Sequence, residues 1–221
     1  MSDITLIKIK EEILSENREL AAELRADLDE RRVFLVNFMS SPGSGKTSLI
    51  VRTVRDLQGI YRIGVIEGDV DSAVDAERVA QEGVAAVQIQ TGGSCHLTAA
   101  MVEKGLQAIS LEKVDLLLLE NIGNLICPVG SDTGAHLNVA ILSVPEGDDK
   151  PLKYPRIFQT ADAFVVNKTD ALELFDFDLD AFRKRVGRLN PGAPIFEVSC
   201  KTGAGIGPWC QWLQERVAGS R

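Results

Sequence analysis

Residues 40–47 read Ser-Ser-Pro-Gly-Ser-Gly-Lys-Thr, a composition suited to holding phosphate groups. They follow an apolar run and precede a helical pattern, so backbone N–H groups and the positive end of the helix dipole would form an anion site. Lys46 would reach the terminal phosphates and the Thr47 hydroxyl would ligate Mg²⁺. Ser40 stands where the motif usually has glycine. The predicted phosphate-loop contacts are Pro42, Gly43, Ser44, Gly45, Lys46, Thr47 and Ser48.

An Asn-Lys-x-Asp motif, Asn167, Lys168 and Asp170, follows a later predicted strand. The Asp170 carboxylate can accept hydrogen bonds from guanine N1–H and the 2-amino group, whereas adenine offers neither donor on that edge. The aliphatic stem of Lys168 can lie along the base. The following Ser199-Cys200-Lys201 segment is similar to the one that backs guanine in GTPases, with Cys200 as a small packed residue. These residues predict GTP as the ligand.

Two acidic segments, 67–71 and 120–124, end strands near the phosphate loop. We expect Asp75 and Glu120 to hold Mg²⁺ or to position the attacking water. Lys46, which would reach the terminal phosphates, is the third expected catalytic residue. The alternatives are a helix N-terminal acid for Asp75 and a buried strand-end acid for Glu120. No glutamine or arginine stands out as a water-orienting residue, so the predicted intrinsic rate of hydrolysis is slow.

Cys95, His96 and Cys127 are candidate soft-metal ligands. We expect Cys95 to open a helix, where the thiol pKa would be depressed. Thiolate and imidazole ligands suit Zn²⁺ or Ni²⁺ better than Mg²⁺. Three ligands per chain leave the site either open or shared between two chains, and buried structural cysteines are the alternative. Cys210 is expected in the core, and His136 in a loop or at the surface with no second metal ligand beside it.

Strand-like and helix-like patterns alternate after the phosphate loop, which predicts an α/β fold with a mostly parallel sheet covered by helices on both faces. The domain prediction is an amphipathic N-terminal helix, 1–30, and a GTPase domain with a metal site, 31–221. The stretch 145–155 is expected to be a mobile loop. Predicted strands are 33–38, 62–67, 86–90, 115–120, 139–144, 163–167 and 195–198, and predicted helices are 3–30, 71–81, 95–110, 179–188 and 207–217.

Length and charge narrow the classes of partner. The 221 residues fit one domain, and 45% hydrophobic with 25% charged residues is typical of a globular protein. A net charge of −8 argues against nucleic acid as the main partner. We see neither a membrane-length apolar run nor a signal-peptide layout and therefore expect a cytoplasmic protein without membrane contact.

Seven segments resemble, in the same order, those of the hydrogenase nickel-incorporation GTPases, the HypB family. They are SPGSGKTS, EGDVDSAVDAERV, GGSCHL, ENIGNLICP, EGDDKPLKYP, NKTD and SCKTG. The resemblance covers residues 33–205, and the joint presence of GGSCHL and ENIGNLICP is highly specific. It implies a P-loop GTPase that dimerises around nucleotide, as signal-recognition-particle and nitrogenase iron-protein relatives do.

The resemblance also implies roles for individual residues. Cys95, His96 and Cys127 would bind nickel or zinc at a homodimer interface, and Lys150 or Lys153 would reach the nucleotide of the partner chain. Family members deliver nickel to the hydrogenase large subunit together with a small metallochaperone. We therefore expect GTP and Mg²⁺ to favour a dimer that holds the metal, and hydrolysis or partner contact to release it.

Two features depart from the family pattern. The chain begins Met-Ser-Asp-Ile, without the Cys-rich or His-rich nickel-binding segment of many members, so we expect a short form without an N-terminal nickel store. Segment 130–137 also differs, and the sequence gives no reason for it.

Three other functions compete with this interpretation. Urease nickel GTPases carry Cys-Pro-His, but here Val129 follows Cys127 and Pro128. GTPases that escort cobalamin-dependent enzymes give no reason for the Cys-His and Cys-Pro segments. A metal-buffering dimer with a vestigial nucleotide site is disfavoured by the intact Gly-Lys-Thr and Asn-Lys-x-Asp motifs.

Overall fold

The computed structural model describes residues 9–69 and 74–220, which form a three-layer α/β structure around a seven-stranded sheet. The strand order is β3-β2-β4-β1-β5-β6-β7, and every pair is parallel. The strands are β1 (Phe34–Ser40), β2 (Ile63–Asp69), β3 (Ala85–Gln90), β4 (Leu116–Glu120), β5 (Leu137–Ser143), β6 (Ala163–Asn167) and β7 (Ile195–Glu197). The predicted fold class is confirmed.

Eight helices, counted over the described residues, connect and cover the strands. They are α1 (Ile9–Glu30), α2 (Lys46–Leu57), α3 (Val74–Ala80), α4 (Ala99–Gln107), α5 (Lys150–Lys153), α6 (Pro155–Thr160), α7 (Leu179–Leu189) and α8 (Ile206–Gly219). Helices α2, α3 and α8 pack on one face of the sheet, where Trp209 is fully buried. Helices α1 and α4 cover part of the opposite face, and α6 and α7 cover the rest. Buried apolar side chains on both faces explain why the central strands are almost uninterruptedly hydrophobic.

The central strand β1 determines where function can lie. It pairs with β4 on one side and β5 on the other, and its carboxyl end at Ser40 leads directly into the phosphate loop. In open parallel sheets, ligands bind outside the carboxyl ends of strands where neighbouring connections leave in opposite directions. The loops after β1, β2 and β4 therefore share one rim of the sheet.

Two predicted elements differ in the structure. The helix predicted over 95–110 begins only at Ala99, because Thr98 caps it by accepting a hydrogen bond from the Met101 amide. The prediction of a mobile loop over 145–155 is wrong, because a short 3₁₀ turn, α5 and the start of α6 occupy this stretch. Prolines at the first turns fix the backbone there without costing a helical hydrogen bond.

Parts of two predicted helices, residues 3–8 and 71–73, lie outside the described residues. None of the helices that the structure does describe has the length and apolar character needed to span a bilayer.

Candidate nucleotide and metal sites

The phosphate loop depends on a close approach between Gly45 and Asn167. Gly45 has φ +95°, and a Cβ built on it would collide with the Asn167 side-chain amide. That amide donates to the Ser44 carbonyl at 2.9 Å, while its oxygen accepts from the Lys168 and Cys200 amides. Asn167 thus fastens the end of β6 to the phosphate loop, an arrangement that only glycine allows.

Lys46 and Thr47 begin α2 and point toward the end of β4. The Lys46 ammonium donates to the Ser40 hydroxyl at 3.0 Å and lies 3.8 Å from Glu120. The Thr47 hydroxyl donates to the same carboxylate at 3.0 Å. The serine at the unusual first motif position therefore helps orient the lysine. These contacts bring Lys46, Thr47 and Glu120 together as predicted.

Glu67 is a buried site residue that the sequence reasoning did not select. It faces Glu120 because the two residues are in register on neighbouring parallel strands β2 and β4. Burial, and then the nearby Glu120, raise the pKa of Glu67 to about 10, and burial also raises the pKa of Glu120. The sequence shows that two segments, 67–71 and 120–124, each place an acidic residue at the end of a strand. Only the strand order shows that these two strands are neighbours and that the two carboxylates therefore meet.

The acidic pair fits a divalent cation. Glu67 Oε1 and Glu120 Oε2 are buried and find no hydrogen-bond partner among the described residues. Buried carboxylates normally have a partner, so two such oxygens beside the Thr47 hydroxyl mark a place suited to a hard cation with oxygen ligands.

A cavity of about 610 Å³ opens above the loop and is the natural place for the phosphates. Asp75 and Arg78, one turn apart on α3, line it together with Gly68 and Glu120. The Arg78 guanidinium lies 3.4 Å from the Ser48 hydroxyl. The sequence reasoning noticed no arginine here, although the spacing from Asp75 places both residues on one helix face.

The residues predicted to hold the base lie at the ends of β6 and β7. Ser199 donates to Asp170 at 2.6 Å, and this bond lowers the pKa of the carboxyl, so Asp170 is held as an acceptor. The Lys168 ammonium reaches back to the Gly43 carbonyl at 2.7 Å. Lys201 is largely exposed, 3.9 Å from Asp170. Burial raises the pKa of Cys200 to about 11, which suits an inert packed thiol.

The two lysines of the 145–155 stretch point in different directions. Lys150 lies between Glu146 and the Ser41 hydroxyl of its own phosphate loop, each at 3.4 Å. Lys153 is more than half exposed and pairs with Asp149 at 2.6 Å. Lys153 is thus available at the surface, and Lys150 is already beside the loop.

The candidate soft-metal ligands come close to one another. Cys95 Sγ lies 3.4 Å from His96 Nδ1, and the Cys95 thiol also interacts with the Cys127 thiol. This neighbouring thiol and partial burial raise the pKa of Cys95, so the predicted depressed pKa is wrong: Cys95 precedes the helix and is not at its N-terminus. Burial lowers the pKa of His96, favouring the neutral, ligating imidazole.

Within one chain the soft ligands do not complete a site. Over the described residues, no group of three His, Cys, Asp or Glu side chains is arranged to hold a metal ion. Cys95 is exposed, and the neighbouring Ile126 presents 68% of its surface to solvent. The geometry therefore leaves both predicted arrangements, an open site or one shared between two chains.

The remaining cysteine and histidine are structural. Cys210 is buried in the core as predicted. His136 lies in the loop before β5, as predicted, and its contacts there are structural: its ring stacks on Phe34, its Nδ1 accepts from the Leu35 amide at 2.9 Å, and its Nε2 lies 3.1 Å from Asp29. These partners come from α1 and β1, far away in sequence.

Comparison with known proteins places this geometry in context. Residues 34–197 match the family described as CobW/HypB/UreG, nucleotide-binding domain. The hydrogenase maturation factor HypB of Azotobacter vinelandii is 45% identical over 221 residues, all of this chain and 73% of that protein. The hydrogenase/urease maturation factor HypB of Helicobacter pylori strain J99 is 42% identical over 95% of this chain and 88% of its own.

A solved structure agrees closely. The crystal structure of HypB from Helicobacter pylori in complex with nickel superposes with a TM-score of 0.88 at 40% identity, covering 92% of this chain and 96% of that one.

Proposed function

The chain belongs to the HypB family of hydrogenase/urease maturation factors, and from this membership we propose that it is a GTP-hydrolysing metallochaperone that delivers nickel to a [NiFe] hydrogenase. The nucleotide would gate a Cys/His metal site through dimerisation. One observation carries the proposal: consecutive residues at the end of β4 contact the two sites. Glu120 accepts from Thr47 in the phosphate loop, and Asn121 accepts from the amide of Leu97, the residue after His96.

Recognition of GTP rests on the two ends of the nucleotide cavity. Residues 43–48 supply backbone amides, Lys46 and the α2 dipole for the phosphates, while Asn167, Lys168 and Asp170 hold guanine. The Ser199 bond aims the Asp170 carboxylate at the base edge, and Cys200 and Lys201 close that side.

Thr47, Asp75 and Glu120 would hold Mg²⁺, with Glu67 beside them. When bound, the ion neutralises charge that develops on the transferring phosphoryl group. Lys46 binds the same phosphate oxygens, and Asp75 and Glu120 can orient the attacking water by accepting its hydrogen bonds. Among the described residues that line the cavity there is an arginine, Arg78, but no glutamine to orient the attacking water, so hydrolysis is expected to be slow, which suits a switch.

Nickel is the cargo, and Cys95, His96 and Cys127 are its proposed ligands. Because these ligands do not complete a site within the described residues of one chain, we propose that the GTP-bound homodimer brings both sets together, with zinc as a competing ion. Lys153 on the exposed face of α5 would reach the partner chain's nucleotide. A small nickel metallochaperone and the hydrogenase large subunit are the proposed partners in the cytoplasm.

Linkage provides the test. If GTP tightens nickel binding tenfold, nickel must tighten GTP binding by the same factor, about 1.4 kcal/mol. Nickel titrations of metal-free protein with GDP, and with a non-hydrolysable GTP analogue plus Mg²⁺, should show tighter binding in the second state, together with a doubled mass by light scattering. Cys127→Ala should abolish the gain, whereas Cys210→Ala, which removes a buried thiol elsewhere, should retain it. Nucleotide-independent nickel affinity would contradict the proposal.

Base selectivity has its own experiment. Asp170→Asn removes the charge and replaces one of the two carboxylate oxygens that would accept from guanine with an NH₂ donor. GDP affinity should fall by at least tenfold, since a hydrogen bond to a charged group contributes about 1.5–3 kcal/mol. Asp176→Asn, an exposed substitution a few residues away, is the matched control. An unchanged GDP affinity in Asp170→Asn would show that guanine is held elsewhere.

A further inference from the structure

Helix α1 contacts both cysteine-bearing segments through one side chain. The Asn17 carboxamide accepts from the Ala99 amide at 2.9 Å and donates to the Asp132 carbonyl at 2.8 Å. Ala99 lies three residues after His96, and Asp132 lies five residues after Cys127. An asparagine amide has a donor and an acceptor end, so it can join one N–H to one C=O in this way.

Further bonds hold the second segment against the same helix. Arg25 donates to the Ala135 carbonyl at 3.0 Å and forms a 2.7 Å ion pair with Asp132. The Ser131 hydroxyl donates to the Leu97 carbonyl at 3.3 Å, which ties the two segments to each other directly. Segment 130–137, which departs from the family pattern, is therefore the connection between Cys127 and α1.

Packing makes this connection stiff. Ala21, Leu24 and Leu28 of α1 are buried in a cluster that also contains Leu97 and Ala99. Gly134 has φ +80°, and a Cβ there would lie 3.1 Å from both the Ala21 carbonyl and the Leu24 Cβ. The loop thus runs against the helix at a distance that leaves no room for a side chain, and close packing transmits displacements.

We propose that Asn17 is a positioning residue for the soft-metal site, because its amide fixes the segment carrying Cys95 and His96 relative to the segment carrying Cys127. This inference rests on the proposed nickel site but not on hydrolysis. It makes α1 part of the metal centre, so that a movement of α1 changes the distance between the ligands.

The experiment compares the Asn17→Ala variant with the unmodified protein, both full-length, in two measurements. Without metal, the rate at which a short thiol-reactive cross-linker joins Cys95 to Cys127, followed by peptide mass mapping, reports the proximity of the segments. With nickel, chelator competition and the thiolate-to-nickel absorption band report the site itself. Asn17→Ala should slow cross-linking severalfold and weaken nickel binding about tenfold, the low end of losses for residues that orient ligands. GDP affinity should not change.

Three variants separate positioning from general damage. Asn17→Asp keeps the acceptor but cannot donate to Asp132, so it should also slow cross-linking. Glu16→Ala is exposed on the same helix and should match the unmodified protein. Leu213→Ala, in the core on the opposite face of the sheet, should lower the melting temperature. At temperatures well below that melting point it should cross-link at the rate of the unmodified protein.

The inference is overturned if Asn17→Ala cross-links and binds nickel as the unmodified protein does, or if Leu213→Ala reproduces its losses. Failure of the nickel proposal has a different signature. The unmodified protein would then bind no nickel, while the cross-linking rate would still report whether Asn17 holds the segments together.

Discussion

Gly45→Ala tests the contact that fastens the phosphate loop to β6. Gly45 has φ +95°, and its Cα faces the Asn167 amide so closely that a methyl group would displace that side chain. Gly43, two residues earlier, has φ +76° but open space around its Cα. The two glycines therefore form a matched pair: both substitutions strain the backbone, and only Gly45→Ala adds a collision.

The expected loss of stability is the sum of two costs, the backbone strain and the collision with Asn167. A left-handed backbone costs a non-glycine residue about 1–2 kcal/mol, which is the full expectation for Gly43→Ala. In Gly45→Ala, displacement of Asn167 also breaks its bond to the Ser44 carbonyl and leaves buried polar groups unpaired, which costs about 1–3 kcal/mol more. We expect a loss of about 2–5 kcal/mol in the free energy of unfolding for Gly45→Ala.

Urea unfolding of the nucleotide-free proteins, followed by circular dichroism, measures both losses, and an unchanged slope with urea concentration confirms that the same transition is compared. GDP binding should weaken in Gly45→Ala as well, because the displaced Asn167 no longer aligns Ser44 and Lys168. If Gly45→Ala proves no more destabilising than Gly43→Ala, Asn167 is not rigidly held and the reasoning fails.

Two further predictions concern buried polar contacts. Thr53→Val removes the acceptor of the buried Trp209 indole N–H, so the free energy of unfolding should fall by about 1–3 kcal/mol in urea titrations, and a change within experimental error would show that the indole finds another acceptor. Burial lowers the pKa of His136, so the unfolded chain binds a proton more readily and stability should fall as pH drops below the ordinary histidine value of about 6.5. His136→Asn, which keeps an acceptor for the Leu35 amide, should lose less stability between pH 7.5 and 5.5; equal losses would exclude this histidine as the source.

Much of the site could be predicted from the sequence because its chemistry is local. Residues 40–47 form a phosphate loop through their own backbone, and the side chains of Lys46 and Thr47 follow from the helix that begins there. Alternation of apolar strands with helices is likewise a local pattern, and it was sufficient to predict the α/β fold. The ends of helices were less predictable, since the start of α4 depends on the Thr98 cap.

Tertiary structure decided the contacts that cross between segments. Glu67 became a site residue only because β2 lies next to β4 and sets it in register with Glu120, where burial raises its pKa. The roles of His136 and Asn17 depend on partners that are distant in sequence: Leu35 is 101 residues from His136, and Ala99 is 82 residues from Asn17. Sequence spacing determines which groups a segment carries, but strand order and helix packing determine which groups meet, since desolvation and hydrogen bonding act only between groups that the fold brings into contact.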